Sequence, residues 1–434
     1  MNTGALGSVA RTPELVSRIL FSFGMLVVYR VGCAIPTPGI NVAELRRYFE
    51  QGGGGVLQIF NLFSGGAFEQ LSIFALGIMP YVSSSIILQL LTVVIPHLEE
   101  LRKEGEDGRR TITRYTRYGT VVLALVQSFL MATAIEAGAF GQNTVADPGW
   151  GFRLMAMITL TAGTAFIMWL GEQITERGIG NGISLVIFSG IVTAIPGALW
   201  RVFDLIQTDA LPPISLVALA VVMTTVIAVI VYFERAQRRV PIQYARRVVG
   251  RQVVGGALAY FPLKLNTSGV IPPIFASSLL LVPSQLGAYA HQGWLSDFIS
   301  DHLTFQSIPY QCLYVALIIF FSYFYTGVLL SPDDLADNIR KNGGYIPGIR
   351  PGQRTAQYIS HVLNRITLIG AVYLSAVCVL PVTLAVVFNV PFYYGGTALL
   401  IVVGVAMDTM GQIEAHLVSR NYETFMRGKG RLGR

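Results

Sequence analysis

Charged residues are scarce in this chain of 434 residues, because Asp, Glu, Lys and Arg together account for only 13%. A soluble globular domain carries about 25% of such residues. Apolar residues reach 53% and the mean hydropathy is +0.57. Apolar runs of roughly 20 residues recur along the chain. The composition argues against a soluble domain and predicts an all-α polytopic membrane protein.

Residues that commonly build catalytic or metal sites are also rare. Cys33, Cys312 and Cys378 lie inside or at the edge of apolar runs, which argues against a disulfide framework. The five histidines are scattered over different loops and span ends, so no metal site is expected. The glycines of residues 178–182 have the wrong spacing for a dinucleotide turn and predict a tight cytoplasmic connection between helices. With no G-x-x-x-x-G-K-[ST] motif either, the sequence predicts no ATPase of its own, no other catalytic constellation and no cofactor.

Ten apolar segments are long enough to cross a bilayer, since about 20 helical residues at 1.5 Å each match the hydrocarbon thickness. Residues 1–18 do not read as a cleavable signal, because the apolar stretch that follows has full spanning length. The predicted spans are residues 19–36, 71–95, 118–138, 153–172, 183–200, 214–233, 268–288, 310–330, 366–387 and 393–413.

The basic residues predict the orientation of these spans. With both termini inside, only five of the 31 Lys and Arg residues fall outside or near the outer ends: Arg30, Arg46, Arg47, Arg153 and Arg201. The spans divide into five and five, giving halves at residues 1–205 and 206–434. Because five is odd, the second half must cross the membrane in the opposite sense, as in an inverted repeat.

The segment at residues 56–63 is apolar but too short to cross a bilayer. Glycines flank this segment, at residues 52–55 before it and at Gly65 and Gly66 after it, and they permit sharp turns of the backbone. One interpretation is a re-entrant element that enters an internal cavity, since backbone that stops within a membrane must be buried in protein or line water. The alternative is a short helix on the outer surface.

The second span combines aliphatic and small polar residues. Pro80 removes a backbone hydrogen bond and predicts a kink there. Ile78 and Val82, four positions apart, share one helix face. Residues 83–85 are all serine, and small hydroxyl residues let helices approach closely and separate at modest cost. Gln127 in the third span is a further polar group that could pair across such an interface.

Three inner loops, residues 99–117, 234–264 and 331–365, are long and basic. The second predicts either a β-ribbon or a helical hairpin, because apolar and polar residues partly alternate in it. The third contains Arg350 between two Pro–Gly turn signals, on backbone rigid enough to present one guanidinium to a partner.

Charge inside the spans would indicate a coupled transporter, the main alternative that the inverted repeat allows. Asp408 is the best candidate, but it lies within about two turns of the inner end, which favours an interfacial or structural role. A membrane scaffold without a pore is a third possibility.

Five blocks, at residues 74–91, 168–184, 269–281, 345–352 and 390–403, closely resemble the SecY family. That family provides the central subunit of the bacterial protein translocation channel. The resemblance covers essentially the whole chain with matching loop order. It implies ten helices in two inverted five-helix halves around an hourglass pore that opens sideways between spans two/three and seven/eight.

The same resemblance assigns roles residue by residue. The pore constriction would be Ile78, Val82, Ile183, Ile187, Ile274 and Ile401. The plug, at about residues 56–66, would include Val56, Leu57, Ile59, Phe60, Asn61, Leu62, Phe63, Ser64, Gly65 and Gly66. The lateral gate would include Ser83, Ser84, Gln127, Ser277 and Ser278. Val82 departs from the isoleucine that is common at its position.

The resemblance also implies a non-enzymatic channel in the bacterial plasma (inner) membrane, driven by the SecA motor ATPase or the ribosome. Its other partners would be small SecE- and SecG-like subunits, unfolded preproteins with their signal sequences, and membrane lipid. The cytosolic loops, residues 234–267 and 331–365, would dock the motor or ribosome through Arg246, Arg247, Arg251 and Arg350. Gln252 stands where many relatives carry a second basic residue, which puts the strength of ribosome binding in question.

Overall fold

The computed structural model describes residues 12–50, 61, 64–138, 144–208, 214–244, 247–249, 252–254, 258–289, 307–388 and 396–429. The chain forms two compact units, which are described separately below. Unit 1 comprises Met1–Thr208, Ser278–Ser307 and Ile401–Arg434. Unit 2 comprises Asp209–Ser277 and Ile308–Leu400.

Ten long helices lie in the described ranges, and each overlaps one predicted span. They are α1 (Pro13–Cys33), α3 (Met79–Val94), α5 (Glu106–Glu136), α6 (Trp150–Arg177), α7 (Gly182–Gln207), α8 (Ile214–Arg235), α9 (Ile271–Tyr289), α10 (Ile308–Leu329), α12 (Gln353–Phe388) and α13 (Gly396–Lys429). Three shorter helices, α2 (Val42–Glu50), α4 (Pro96–Lys103) and α11 (Pro332–Lys341), complete the described set.

Length and hydropathy make this a multi-pass membrane protein. Among the described residues, six helices are each long and apolar enough to cross a bilayer, and the bent pair α3–α4 would add a seventh. Large apolar side chains on these helices point outward, including Leu20 and Phe23 of α1, which are 63% and 65% exposed. Such exposure suits contact with lipid rather than water.

The second span departs from its prediction. Residues 64–78 form successive turns, so residues 71–78 of the predicted span are not helical, and α3 begins at Met79. Pro80 therefore lies in the first turn of α3, where a missing N–H breaks no hydrogen bond, so the expected kink at Pro80 is wrong. The bend lies instead between α3 and α4, at 99°, where Ile95 is extended and Pro96 opens α4.

The turns at residues 64–78 are part of the core of unit 1. Phe68 and Leu71 are fully buried, and Phe68 packs edge-on against Phe49 of α2. The chain between α1 and α2 forms an isolated antiparallel bridge from Pro36 to Ser72. These contacts fix the approach to α3 even though the segment is not helical.

Unit 2 carries a small folded body built from the second and third basic loops. Strands β1 (Gln237–Tyr244), β4 (Leu258–Lys264) and β5 (Gly344–Tyr345) form an antiparallel sheet in the order β4–β1–β5. Strands β2 (Arg247–Val249) and β3 (Gln252–Val254) pair as a separate hairpin. The β-ribbon prediction is confirmed, and the helical alternative is wrong. Beneath the larger sheet lies an apolar cluster formed by Val240, Leu263, Ala336, Ile346, Ala356, Ile359, Leu363 and Ile366.

Candidate pore and docking surface

The six predicted constriction residues occupy similar positions within their own helices. Each lies at the N-cap or in the first two turns of a long helix, on α3, α7, α9 or α13. Five of the six are buried, with exposed fractions from 1% to 8%, whereas Ile183 is half-buried. None carries a charge or a hydrogen-bonding side chain. Unit 1 contains Ile78, Val82, Ile183, Ile187 and Ile401, and unit 2 contains Ile274.

A short connection positions the start of α7, and with it Ile183 and Ile187. Residues 178–181 join α6 to α7 through Gly180, whose φ of +91° favours glycine. The amide of Ile179 donates to Ser22 Oγ of α1 at 3.0 Å, and that of Gly180 donates to Gln412 Oε1 of α13 at 2.9 Å. The predicted tight connection is confirmed, and it joins four helices: α1, α6, α7 and α13.

The close approach of α6 and α7 explains a further glycine. A Cβ on Gly182 would lie 1.9 Å from the carbonyl oxygen of Gly171, so only glycine fits there. Asn181 Oδ1 accepts a hydrogen bond from the Ile183 amide at 3.1 Å, which satisfies one of the donors at the start of α7.

The predicted plug is described only at its carboxyl-terminal end, in Asn61, Ser64, Gly65 and Gly66. Asn61 closes a turn by accepting from the Glu69 amide at 3.0 Å and donating to Glu69 Oε2 at 3.1 Å. The other predicted plug residues lie outside the described residues: Val56, Leu57, Ile59, Phe60, Leu62 and Phe63.

The polar residues predicted for the lateral gate have different surroundings. Ser84 is buried, and its Oγ donates to the carbonyl oxygen of Thr116 at 2.9 Å, which joins α3 to α5. Ser277 Oγ donates within α9 to the carbonyl oxygen of Ile274 at 2.9 Å. Ser278 is buried, while Ser83 and Gln127 are half-buried.

Arg350 is exposed on a loop whose backbone is held on both sides. The Thr355 hydroxyl donates to the Arg350 carbonyl oxygen at 3.1 Å, and the Ile349 amide donates to the Ile346 carbonyl oxygen at 3.0 Å. Gly348 and Gly352 adopt φ values of +81° and +107°, which glycine accommodates without strain. The guanidinium is thus presented from a well-defined turn.

One further basic docking residue, Arg247, belongs to the β2–β3 hairpin. Arg247 opens β2 and pairs across the hairpin with Val254. Arg246 and Arg251 lie outside the described residues. Only two residues of sequence separate Val249 from its partner Gln252, which is typical of a tight hairpin.

Asp408, the candidate site of a coupled transporter, is exposed on α13. An ion-coupling carboxylate is expected to face a bundle interior or an aqueous cavity near the midplane. Among the residues that the structure describes, no group of three His, Cys, Asp or Glu side chains could hold a metal ion.

Two residues with structural importance were missed in the sequence. Tyr29 and Arg30 of α1 bond to the carbonyl oxygens of Ser64 and Gly65, at the end of the predicted plug and 35 positions away in sequence. Arg30 interrupts the apolar stretch that follows Arg18 in α1, and this was an available signal, because a cation within a span usually has a specific partner.

Fold and site together define a polytopic helical membrane protein in which uncharged aliphatic residues begin several spans and a basic folded body extends from one unit. The profile of the SecY family matches residues 72–410. This chain belongs to the SecY family.

Relatives from distant bacteria support the assignment over nearly the full length. The protein translocase subunit SecY of Pseudomonas aeruginosa is 48% identical, with 98% of this chain and 96% of that protein covered. The subunit of the same name from Escherichia coli K12 is 47% identical, with 95% of this chain and 94% of that protein covered. That of Aquifex aeolicus is 45% identical, with 95% and 97% covered.

Solved structures share the fold at low sequence identity. A structure described as that of a protein conducting channel has a TM-score of 0.64 at 18% identity. The match covers 93% of this chain and 92% of the chain in that structure. A structure of a SecY protein whose plug domain stabilises the closed state has a TM-score of 0.62, with 18% identity and the same coverage.

Proposed function

We propose that this chain is the channel-forming subunit of a protein translocase. It moves secretory polypeptides across a membrane and releases the apolar segments of membrane proteins sideways into lipid. The relatives at 45–48% identity carry the name protein translocase subunit SecY, and the fold is that of protein-conducting channels. The family is one of channels rather than enzymes, so the driving force comes from outside the chain.

The observation that carries the mechanism is the shared position of the six constriction residues at the starts of their helices. A ring of stiff β-branched side chains excludes water and ions by dewetting when it is empty. It also offers no charge or hydrogen bond that would hold one passing sequence over another.

The halves at residues 1–205 and 206–434 clamp this constriction, with residues 56–66 as the plug. The lateral gate runs between spans two/three and seven/eight, and Ser84 is one of its contacts. A hydroxyl bonded to a carbonyl costs little to exchange for another partner, so such an interface can open. An apolar segment of 18–20 residues then gains several kcal/mol by moving into lipid.

The partners follow from the basic folded body. Arg350 and the β2–β3 hairpin dock the SecA motor ATPase or the ribosome, whose RNA phosphates attract basic residues. Solved neighbours support this, since one is Sec61 in a ribosome–channel complex. SecE- and SecG-like subunits complete the assembly in the plasma (inner) membrane, with both termini of this chain in the cytoplasm.

Disulfide crosslinking of a stalled secretory chain tests the constriction directly. Cysteine is introduced as Ile78→Cys or Ile187→Cys, after the three native cysteines have been replaced by alanine. Because the translocating chain must pass the constriction, we expect both positions to bond to a cysteine in the stalled segment. Ile158→Cys is the matched control, since Ile158 is 68% exposed on the outside of α6.

Crosslinks at positions 78 and 187 that disappear when no substrate is stalled would support the pore. Equal yields at position 158, or no yield at 78 and 187 during active export, would refute it.

A further inference from the structure

The carboxyl-terminal end of the plug segment is bonded to α1 through two adjacent carbonyl groups. Tyr29 Oη donates to the Ser64 carbonyl oxygen at 3.0 Å, and Arg30 Nη1 donates to the Gly65 carbonyl oxygen at 2.8 Å. Tyr29 is 1% exposed and its ring stacks on Phe74 with centroids 5.9 Å apart. Two consecutive donors on one helix thus hold two consecutive acceptors on the segment.

Gly65 also lies close to α7. A Cβ at this position would lie 2.7 Å from Gly190 Cα and 2.7 Å from Arg30 Nη1. The backbone also has φ of +67°, which an L side chain rarely adopts. The peptide at Gly65 is therefore held between α1 and α7 at a distance that only glycine permits.

The turn itself does not depend on these bonds to α1. The Gly66 amide donates to the Asn61 carbonyl oxygen at 2.8 Å, and the Phe68 amide donates to Ser64 Oγ at 3.2 Å. With Asn61 and Glu69 also bonded to each other, the turn closes on itself. These bonds within the turn would remain if the bonds from Tyr29 and Arg30 were lost.

We propose that Arg30, supported by Tyr29, is a positioning residue that latches the plug in its sealing position. This inference depends on the proposed role of residues 56–66 as a plug. Displacing the carboxyl-terminal end of the plug requires breaking a charge-assisted hydrogen bond to Gly65, so Arg30 biases the channel toward its sealed state. A carbonyl is a weaker partner for a guanidinium than a carboxylate, which keeps the bond breakable.

Anion leak from vesicles containing the full chain, with whatever membrane subunits copurify, tests the latch. We expect Arg30→Ala to raise the leak about tenfold, because the bond it removes is charge-assisted. Arg30→Lys keeps a cationic donor and should restore much of the seal. Tyr29→Phe keeps the ring stacked on Phe74 but loses the hydroxyl, and should leak to a lesser extent. Arg47→Ala is the matched control, because Arg47 is exposed on α2 and pairs with Glu44.

Two further variants separate the latch from the channel itself. The double variant Ile78→Gly with Ile187→Gly should leak because it opens the proposed constriction. If it does not leak, the constriction is refuted. If it leaks while Arg30→Ala and Tyr29→Phe stay as tight as the unaltered chain, only the latch is refuted. The second variant is a deletion of residues 57–62. If this deletion does not leak although Arg30→Ala does, the latch is also refuted, because a latch has no effect when there is no plug to hold. Should Arg30→Ala fail to fold, Tyr29→Phe alone decides the outcome.

Discussion

At the scale of single residues, Arg350 shows how local structure presents a charge. Its side chain is exposed, whereas Ile346 nearby is 3% exposed and belongs to the apolar cluster of unit 2. The Thr355 hydroxyl holds the carbonyl group of Arg350 itself. A guanidinium on a fixed turn loses little entropy when a partner binds it, which suits a docking residue.

We expect Arg350→Glu to reduce SecA-driven export by more than about tenfold, because losing one half of a close charge pair costs about 2–5 kcal/mol. Export of a secretory protein into inverted membrane vesicles measures this. Insertion of the variant chain itself should be unchanged. Arg109→Glu is the matched control. Arg109 is also an exposed arginine, but it lies on α5, outside the folded body of unit 2. Normal export by Arg350→Glu would refute the docking role.

At the scale of elements, the basic body is joined to its span at a polar contact. Asn266, which follows β4 and is 4% exposed, donates through Nδ2 to Glu234 Oε1 near the end of α8, at 2.6 Å. Phe233 stacks on Tyr373 of α12 with ring centroids 4.3 Å apart. Both ends of the β1–β4 ribbon are thereby fixed to helices of unit 2.

Replacing the buried amide should loosen this joint. We expect Asn266→Ala to destabilise the attachment by about 1.5–3 kcal/mol, since the lost hydrogen bond involves a charged group. Trypsin should then cleave faster at Arg238 and Arg239 of β1 in the folded protein, as followed by mass spectrometry of the fragments.

Thr267→Ala is the control for that measurement, because Thr267 bonds only locally, to the Lys264 carbonyl oxygen at 2.8 Å. Its effect should stay within about 0.5 kcal/mol. Identical cleavage rates in the two variants would show that the Asn266 contact does not hold the ribbon.

At the scale of the whole molecule, the distribution of basic residues makes a claim about orientation. Lys and Arg near short loops are retained on the cytoplasmic side during insertion. The folded body of unit 2, which carries Arg350, and the start of α5 should therefore face the cytoplasm. Helix α2 should face the outside of the cell.

Cysteine labelling in intact cells checks this orientation. We expect Arg47→Cys on α2 to react with a membrane-impermeant maleimide from outside, and Arg109→Cys on α5 to react only after lysis. Both positions are exposed, so accessibility from the correct side is the only difference tested. The exposed native Cys312 is first replaced by serine. Labelling of position 109 in intact cells would overturn the predicted orientation.

The sequence by itself determined the class of protein, and it predicted the number and order of the long helices that lie in the described residues. Scarce charge and apolar runs of spanning length require a membrane, because hydrocarbon has no water to satisfy polar groups. Turn chemistry likewise placed Arg350 correctly, since Pro and Gly act within a few residues. These properties are local, so they can be predicted without knowing what packs against them.

Only the tertiary structure decided what residues 64–78 do. Hydropathy predicted residues 71–78 as the start of a span, yet residues 64–78 form buried turns because α1, α2 and α6 supply partners for them. Gly163 of α6 leaves space for the carbonyl oxygen of Ile73, from which a Cβ would be only 1.8 Å away. The bond from Arg30 to Gly65 joins positions 35 apart. Contacts at such separation leave no period or spacing in the sequence, because they depend on which surfaces meet after the helices have formed.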